Sequence, residues 1–329
     1  MFFYELKEVI LNHITNKNIS EDILLQPGIG EDSAVVNFGD EVLAVSSDPI
    51  TGAVKNAGYI AVHVACNDIA AAGAEPFGIQ VVLLLPENMK KREVSFLIKE
   101  INQTTEELGI AILGGHTEIL DTISRPQIII TALGRAPKDQ YVTTKGACVG
   151  DDLIVTKGVG IEGTYILADD FKELLLEKGV GLSVIESAKE YREKLSVLPE
   201  SLIAARMGVN AMHDITEGGL YGAVREMAQA SGKGFLLDRN KIQVPCETDK
   251  ICKTFNLDPC GLISSGSLLI STDCGDELMS ELRQNSIFSF SAGEITEEGY
   301  KIRRKNNKIE EMEVPLEDEL WKFLEKFSN

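Results

Sequence analysis

The chain has 329 residues, of which 44% are hydrophobic and 25% are charged, and its formal net charge is −19. This composition excludes a disordered chain and argues against nucleic acid or an anionic membrane as the main partner. The length predicts two domains, residues 1–150 and 151–329, divided where the pattern of strands and helices restarts.

The first half reads as helices alternating with strands. The predicted elements, in chain order, are a helix with Phe3, Leu6, Ile10 and Ile14 on one face, a hairpin of strands 33–38 and 42–46, an Ala-rich helix 57–72, a strand 77–85, a helix 88–108, a strand 110–113 that ends in a polar turn of sequence GGHTE, and a strand 127–134. This order predicts a mixed α/β layer structure.

The second half repeats the alternation. Its predicted elements are a strand 153–156, a Gly-rich turn, helices over much of 164–207, a strand 210–216, a helix after it, strands 234–238 and 265–272, a helix 276–284, a hairpin of strands 287–295 and 299–304, and a final helix. The longest unbroken apolar run is Val81–Leu85, far too short to cross a membrane. No secretory signal is evident, so we expect a cytoplasmic protein.

Cysteine and histidine offer little for metal or redox chemistry. None of the six cysteines forms a CxxC pair, and only four histidines accompany them. We therefore expect reduced thiols and neither structural zinc nor a disulfide framework. Three of the histidines, His13, His63 and His213, are interpreted as structural.

Asp68 is the residue that the helical pattern explains least. It follows Ile60 and Val64 at helical spacing, so its carboxylate lies in line with apolar side chains. A buried, unpaired carboxylate costs several kcal/mol unless it is protonated, paired or bound to a cation. Hard oxygen ligands without His or Cys clusters favour Mg²⁺, which completes its shell with water and phosphates.

Other acidic and Gly-rich spots recur at the ends of the predicted elements. Each has a bland alternative, since Asp48 before Pro49 is a routine turn, and Asp214 or Thr216 could cap a helix. Together, these acidic and Gly-rich spots fit the binding of Mg²⁺ and phosphate groups. Gly pairs such as Gly114–Gly115 and Gly218–Gly219 offer backbone N–H groups to phosphates.

Two nucleotide-binding patterns were considered. No GxxxxGK[ST] pattern is present. The segment KGVGIEG contains Gly158, Gly160 and Gly163 in GxGxxG spacing, but no convincing acidic residue follows at the position expected for a ribose. The sequence does not favour a dinucleotide site.

Six segments, taken together, carry a resemblance to a known family. In chain order they read PGIGEDSAVV, SSDPITG, VACNDIAAAGAEP, LGGHTE, HDITEGGL and LDPCGLISSGSLLI. They resemble the PurM-like superfamily, which includes aminoimidazole ribonucleotide synthetase, thiamine-monophosphate kinase, selenophosphate synthetase and the hydrogenase-maturation protein HypE. The segment MHDITEGGLYGAVREMAQASG looks most like the HypE branch.

The resemblance implies a two-domain fold in which the N-terminal domains of a homodimer pair their sheets into a β-barrel and the C-terminal domain is an α/β sandwich. It also implies ATP and Mg²⁺ as cofactors and a site that is assembled from several segments. The implied metal ligands are Asp32, Asp48, Asp68, Asp214 and Glu217, and the implied nucleotide contacts are Asn67, Gly114, Gly115, His116, Thr117, Thr216, Gly218 and Gly219.

The implied chemistry is ATP-dependent phosphoryl transfer to an oxygen of a small molecule or of a partner-delivered group, with His116 and Asp48 as the candidate catalytic residues. Departures from the individual members leave the substrate open. The last cysteine is Cys274, so a C-terminal thiol carrier like that of HypE is not expected. Thiamine-monophosphate kinase or aminoimidazole ribonucleotide synthetase activity stays an alternative, as does a nucleotide-binding maturation or regulatory protein with little turnover.

Overall fold

The computed structural model of the chain describes residues 20–26, 28, 30–50, 56–304, 306–313 and 317–327. The predicted first helix, with Phe3, Leu6, Ile10 and Ile14, lies outside these residues. Within them, no helix combines the length and the apolar character needed to cross a membrane.

A six-stranded sheet forms the first half. Its strands are β1 (Ile23–Leu25), β2 (Ala34–Phe38), β3 (Glu41–Ile50), β4 (Glu75–Pro86), β5 (Ala111–Leu120) and β6 (Gln127–Pro137), in the spatial order β1-β2-β3-β6-β4-β5. The predicted hairpin is confirmed, since Phe38 pairs with Glu41 around Gly39, whose φ of 80° suits the turn. Only the β4–β5 pair is parallel, and helix α2 (Lys91–Leu108) connects those two strands.

Helix α1 (Ala57–Ala71) lies against one face of this sheet. Its small residues let it approach closely: Ile69 packs over Gly134 of β6, where an added Cβ would lie 2.2 Å from the Ile69 side chain. The helix ends at Gly73, which has a φ of 72°. Val42 and Ala44 of β3 and alternate residues of β6 are buried on the side of the helices, whereas the residues between them are half-buried or exposed, and no element among the described residues covers that second face.

A seven-stranded sheet forms the second half. Its strands are β7 (Asp152–Thr156), β8 (Ala211–Ile215), β9 (Gly234–Asp238), β10 (Ser267–Thr272), β11 (Ser289–Thr296), β12 (Tyr300–Arg303) and β13 (Ile309–Glu311), in the spatial order β13-β12-β9-β11-β7-β10-β8. Strand β10 is antiparallel to both β7 and β8, so the carboxyl ends of β7 and β8 lie at the same edge of the sheet.

Eight helices accompany this sheet in the described residues. They are α3 (Ile161–Asp170), α4 (Lys172–Glu177), α5 (Leu182–Lys189), α6 (Leu198–Met207), α7 (Gly219–Ser231), α8 (Cys246–Phe255), α9 (Gly275–Gln284) and α10 (Glu319–Phe327). Helices α3 and α7 begin just after the carboxyl ends of β7 and β8. The predicted mixed α/β architecture with two sheets is therefore confirmed.

Two local predictions are wrong. The segment GGHTE is not a turn, because β5 runs through it from Ala111 to Leu120. Strands β11 and β12 do not form a hairpin with each other, because β9 lies between them. In addition, no pattern predicted helix α8, whose single buried face is short.

Helix α1 also joins the two halves. It contacts β3 and β6 of the first sheet and, on the other side, β8 and α6 of the second half. Residues of the first half, such as Ile60, share an apolar cluster with Ile161 and Leu262 of the second. Asp68, near the end of α1, is therefore held between the two sheets.

Candidate active site

Asp68 is buried at this junction, with 7% of its surface exposed. It accepts a hydrogen bond from the Ser46 hydroxyl. Burial raises the pKa of Asp68 well above its ordinary value, and a hydrogen bond with Asp48 and the charges of Asp214, Asp48 and Asp32 raise it further. A hydrogen bond between two carboxyl groups requires that one of them carries a proton.

Four predicted metal ligands thus come together. We call Asp32, Asp48, Asp68 and Asp214 the carboxylate cluster. Asp32 precedes β2, Asp48 lies on β3, Asp68 on α1 and Asp214 on β8, so the cluster combines residues far apart in the chain. Three ligand atoms, one each from Asp32, His213 and Asp214, lie within 4.8 Å of one another.

Asp214 is the member contributed by the second half. It is almost fully buried, and its Oδ2 atom has no hydrogen-bond partner among the described residues. Burial raises the pKa of Asp214 well above its ordinary value, and the charges of Asp32, Asp48 and Glu226 act in the same direction. An orphaned, buried carboxylate oxygen is a group that a bound cation would satisfy.

His213 lies beside the cluster, between two carboxylates. Its Nδ1 atom is 2.6 Å from Asp32 Oδ1, and its Nε2 atom is 2.6 Å from Glu226 Oε2 on helix α7. Burial lowers the pKa of His213, but the charges of Asp32 and Glu226 and its hydrogen bonds with them outweigh burial, so the pKa is well above its ordinary value. A protonated His213 would partly balance the negative charge of the cluster.

His213 was predicted to be a structural residue, and no role was predicted for Glu226. The only sequence signal for His213 is its place directly before Asp214, since its two partners are 13 and 181 positions away in the chain. Such contacts depend on tertiary structure, and no local pattern encodes them.

Asn67 has both polar groups engaged by the protein. Its Nδ2 donates a 2.8 Å hydrogen bond to the Leu195 carbonyl, and its Oδ1 accepts one of 2.9 Å from the Val197 N–H. Asn67 therefore ties α1 to the second half. A nucleotide contact, as the resemblance implies, would use the second N–H or the second lone pair of this amide.

The segment Gly114–Thr117 lies apart from the carboxylate cluster within the chain. It is part of β5, the edge strand of the first sheet, and every one of its residues is exposed. Gly115 pairs with Val81, Val81 with Ile130, and Ile130 with Asp48. The backbones of Gly115 and Asp48 are thus three strand spacings apart in one row of the sheet, about 14 Å. His116, the next residue of β5, is likewise separated from the β3 strand by β4 and β6.

The turn from β8 to α7 is held by the C-terminal helix α10. The Gly218 N–H donates a 2.6 Å hydrogen bond to Asp318 Oδ2, and Glu217 Oε1 accepts one of the same length from the indole N–H of Trp321. Glu217 is exposed and points to α10, so the structure does not bring it to the carboxylate cluster. Thr216, two residues after Asp214, is half-buried, and Gly219 follows Gly218 in the same turn.

Asp318 takes the position at the start of α7 where a phosphate was predicted. Burial raises the pKa of Asp318 to about 7, although hydrogen bonds from the backbone N–H groups of Leu320, Gly218 and Ile263 act in the opposite direction. The predicted anion site at the N-terminus of α7 is thus filled by a carboxylate of the chain itself.

Two domain models of one family match the chain. The N-terminal domain of AIR synthase related proteins matches residues 30–136, and the C-terminal domain matches residues 149–305. Together they cover well over half of the sequence. The chain belongs to the AIR synthase related family. The recognition of a PurM-like protein from its motifs is therefore confirmed.

Curated relatives of this family member have several named activities. The chain is 27% identical to a putative hydrogenase expression/formation protein of Methanocaldococcus jannaschii over 81% of this chain and 78% of the relative. It is 25% identical to the carbamoyl dehydratase HypE of Cupriavidus necator, over 78% and 72%. It is 26% identical to a selenide, water dikinase of Methanocaldococcus jannaschii, over 94% and 93%.

Solved structures confirm the two-domain PurM-like fold. The HypE–HypF complex contains a chain that superposes with a TM-score of 0.75 at 17% identity, over 94% of this chain and 99% of that one. A ThiL protein bound to AMPPCP and TMP gives a TM-score of 0.74 at 19% identity, over 93% and 94%.

Proposed function

We propose that this AIR synthase related protein is an ATP- and Mg²⁺-dependent enzyme that transfers a phosphoryl group to an oxygen atom of its substrate. The observation that carries the proposal is the convergence of four carboxylates, from both halves of the chain, at one buried junction. Relatives named as a dehydratase and a dikinase, and a neighbour bound to the ATP analogue AMPPCP, support it.

The residues present fit a magnesium ion. The donors are hard carboxylate oxygens, which Mg²⁺ prefers. One of them, Asp214 Oδ2, is buried without a partner. His213 forms an ion pair with Asp32 of the cluster and another with Glu226, and a bound cation would balance further negative charge of the cluster. Asp32, Asp48, Asp68 and Asp214 would hold the ion, whereas Glu217 would not without leaving Trp321.

A magnesium ion held there would neutralise the charge of the phosphates and align them for transfer. The contribution of the chain is positional. Ser46 fixes the carboxylate of Asp68, and His213 fixes that of Asp32 through its contact with Glu226. Such preorganised groups need little rearrangement when charge develops in the reaction. Asp48, a candidate catalytic residue, belongs to this group.

The predicted nucleotide contacts on β5 would require an assembly of two chains. Strand β5 is an unpaired edge, and the uncovered face of the first sheet carries half-buried apolar residues such as Leu43, Val45 and Ile129. Exposed edges and apolar faces of this kind are where chains associate. We therefore propose a homodimer in which this face meets a second copy, and in which Gly114–Thr117 and His116 approach the nucleotide.

The substrate is proposed only as a class. Two of the relatives named above are hydrogenase-related, which favours a HypE-like activation of a small-molecule or partner-delivered oxygen. Thiamine-monophosphate kinase is the second candidate, because a ThiL structure with TMP has nearly the same fold similarity. ATP turnover measured with each candidate acceptor separates them, since only the true acceptor should increase release of ADP.

Calorimetry with ATP tests the proposal, with Asp68→Asn as the decisive variant. We expect ATP to bind only when Mg²⁺ is present, and Asp68→Asn to weaken that binding by about 1–3 kcal/mol, because a charged ligand of the cation is lost. Asp40→Asn, at the exposed tip of the β2–β3 hairpin, is the matched control and should bind as the wild type does.

Two outcomes count against the proposal. The first is the absence of ATP binding with and without Mg²⁺. The second is an unchanged affinity in Asp68→Asn. Binding without any release of ADP would instead favour the nucleotide-binding maturation or regulatory protein.

A further inference from the structure

Glu162 is a buried carboxylate that the phosphoryl-transfer site described above does not use. It lies in the first turn of α3, and only 6% of its surface is exposed. Its Oε2 atom is buried and has no hydrogen-bond partner among the described residues. No Lys or Arg within the described ranges forms an ion pair with it, and Ser265 is the one residue whose hydrogen bonds stabilise its charge.

The position in the helix accounts for only part of this arrangement. A carboxylate in the first turn of a helix is stabilised by the helix dipole, but residues with this role are normally exposed. Glu162 is instead buried, and its chain neighbour Ile161 belongs to an apolar cluster that also contains Leu262. Burial consequently raises the pKa of Glu162, and Ser265 only partly opposes this. A buried oxygen without a donor carries a desolvation cost, which a bound ligand with a donor would recover.

Within the second half of the chain, Glu162 lies on the side of Asp214, the member of the carboxylate cluster that this half contributes. Ser265 comes three residues before Leu268, and Leu268 pairs with Asp214 across β10 and β8. Ser265 lies in the turn just before β10, whose first residue Ser267 pairs with Ile215, so Ser265 lies beyond the carboxyl end of β8. On the opposite side, Val64 of α1 packs against the apolar cluster that contains Ile161, one helical turn before Asp68.

The surroundings of Glu162 are built to hold it in place. The Ile161 N–H donates a 3.0 Å hydrogen bond to the Ser264 hydroxyl, and the Gly163 N–H donates one of 2.9 Å to the Ile263 carbonyl. Gly163 has no space for a side chain, because an added Cβ would lie 2.4 Å from the Leu262 side chain. The loop before β10 and the start of α3 thus form one fixed unit, and Glu162 keeps a single placement.

We propose that Glu162, with Ser265, forms the acceptor subsite of the enzyme and binds a cationic nitrogen group of the substrate, such as an ammonium or amidinium. This inference rests on the proposed function, since it assigns the substrate class of the same site. A cation with N–H donors satisfies the free oxygen and balances the buried charge at once, which a neutral donor does not. The subsite lies at the carboxyl end of β8, which is the end of that strand that carries Asp214.

The test is ligand-observed NMR with acetamidinium, methylammonium and the neutral acetamide as probes. It uses the full chain, with and without Mg²⁺ and AMPPCP. We expect acetamidinium or methylammonium to bind the wild type more tightly than acetamide does, and Glu162→Gln to weaken that binding at least about fivefold, because the charge is removed while the shape is kept. Glu173→Gln removes an exposed acidic residue from the first turn of α4 and should leave probe binding unchanged.

Several results would overturn the proposal. These are no probe bound to the wild type, equal binding in Glu162→Gln, a loss of the same size in Glu173→Gln, and tighter binding of acetamide than of the cations. Calorimetry with ATP and Mg²⁺ on the same variants separates this inference from the proposed function. Glu162→Gln should bind ATP as the wild type does. If the wild type binds acetamidinium through Glu162 but never binds ATP, the proposed function fails and the cation subsite stands.

Discussion

The carboxylate cluster and strand β5 were predicted to serve one nucleotide, yet the structure gives them opposite environments. The cluster lies at the junction of the two halves, where Asp68 and Asp214 are buried, and burial raises the pKa values of Asp32, Asp68 and Asp214. Strand β5 is an exposed edge about three strand spacings away from Asp48. The comparison teaches that one chain by itself brings the four carboxylates together, whereas β5 would approach the proposed site only in the proposed dimer.

The largest effect is expected when His213, the cationic partner of Asp32 in the cluster, is replaced. His213→Gln leaves Asp32 and Glu226 buried without their shared imidazolium, and we expect it to lower the free energy of unfolding by about 3–5 kcal/mol. Urea denaturation measures this. His116→Gln on β5 is the control, and its effect should stay within about 0.5 kcal/mol. Equal losses in the two variants would contradict the contrast between buried cluster and exposed edge.

Two neighbouring glycines test how β5 is attached to the sheet. An added Cβ at Gly115 would lie 1.8 Å from the Val81 carbonyl oxygen, whereas one at Gly114 meets nothing within 4 Å. Their φ angles are nearly the same, 154° and 155°, so backbone strain is common to both substitutions. We expect Gly115→Ala to cost about 1–3 kcal/mol more than Gly114→Ala in urea denaturation. If the two variants are equally stable, the close approach of β5 and β4 is wrong.

The pH dependence of the free energy of unfolding should come mainly from the carboxylate cluster, because its aspartates have raised pKa values. Burial raises the pKa values of Asp32, Asp68 and Asp214 above their ordinary value of 3.8, so the folded protein keeps protons that the unfolded chain releases. Without a metal ion, the free energy of unfolding should therefore fall as pH rises above about 4, by up to about 1.4 kcal/mol per pH unit for each proton retained.

His213 contributes with the same sign. Its pKa in the folded protein is well above the ordinary 6.5, so its stabilising charge is present below that value and is lost as pH rises through the folded pKa. Mg²⁺ should reduce the fall of the free energy of unfolding with pH, because a bound cation favours the ionised carboxylates. Urea denaturation at a series of pH values gives the slope directly. Stability that rises with pH between about 5 and 8 without Mg²⁺ would contradict the assignment.

The substitution with the smallest expected effect on folding stability tests the association of two chains. Ile119 on β5 has 66% of its surface exposed, and Ile119→Lys should leave folding within about 0.5 kcal/mol of the wild type. The same change places a charge on the exposed β5 edge, which borders the proposed dimer face, and should convert a dimer into a monomer in light scattering. Leu182→Lys, at an exposed apolar position of the second half, should keep the dimer. A dimer that persists in Ile119→Lys would place the interface elsewhere.

Much of the fold could be predicted because its periodic patterns are local. The hairpin around Gly39 and the helix ending before Gly73 follow from turn and packing residues in the sequence. The course of β5 could not be predicted in this way, because GGHTE has the composition of a turn and is extended only through its pairing with β4. The predicted hairpin of β11 and β12 failed for a similar reason, since β9 inserts between two strands that are neighbours in the sequence.

The candidate site shows the same division. Asp68 was singled out because a charge within an apolar helix face needs compensation, and the structure places it with the other three predicted aspartates. His213 and Glu226 were missed because their partners come from other elements, and the contact of Asp318 with Gly218 depends on where the last helix docks. The local sequence reveals a charged residue on an apolar helix face, but it does not reveal the distant groups that compensate its charge.

The most direct test of the central claim is a crystal structure of the protein with Mn²⁺ in place of Mg²⁺ and with AMPPCP, read by anomalous scattering. We predict a manganese peak about 2.1–2.3 Å from carboxylate oxygens of at least two of Asp32, Asp48, Asp68 and Asp214, with phosphate oxygens completing the shell. A peak elsewhere on the chain, or a nucleotide bound away from these four residues, would contradict the account.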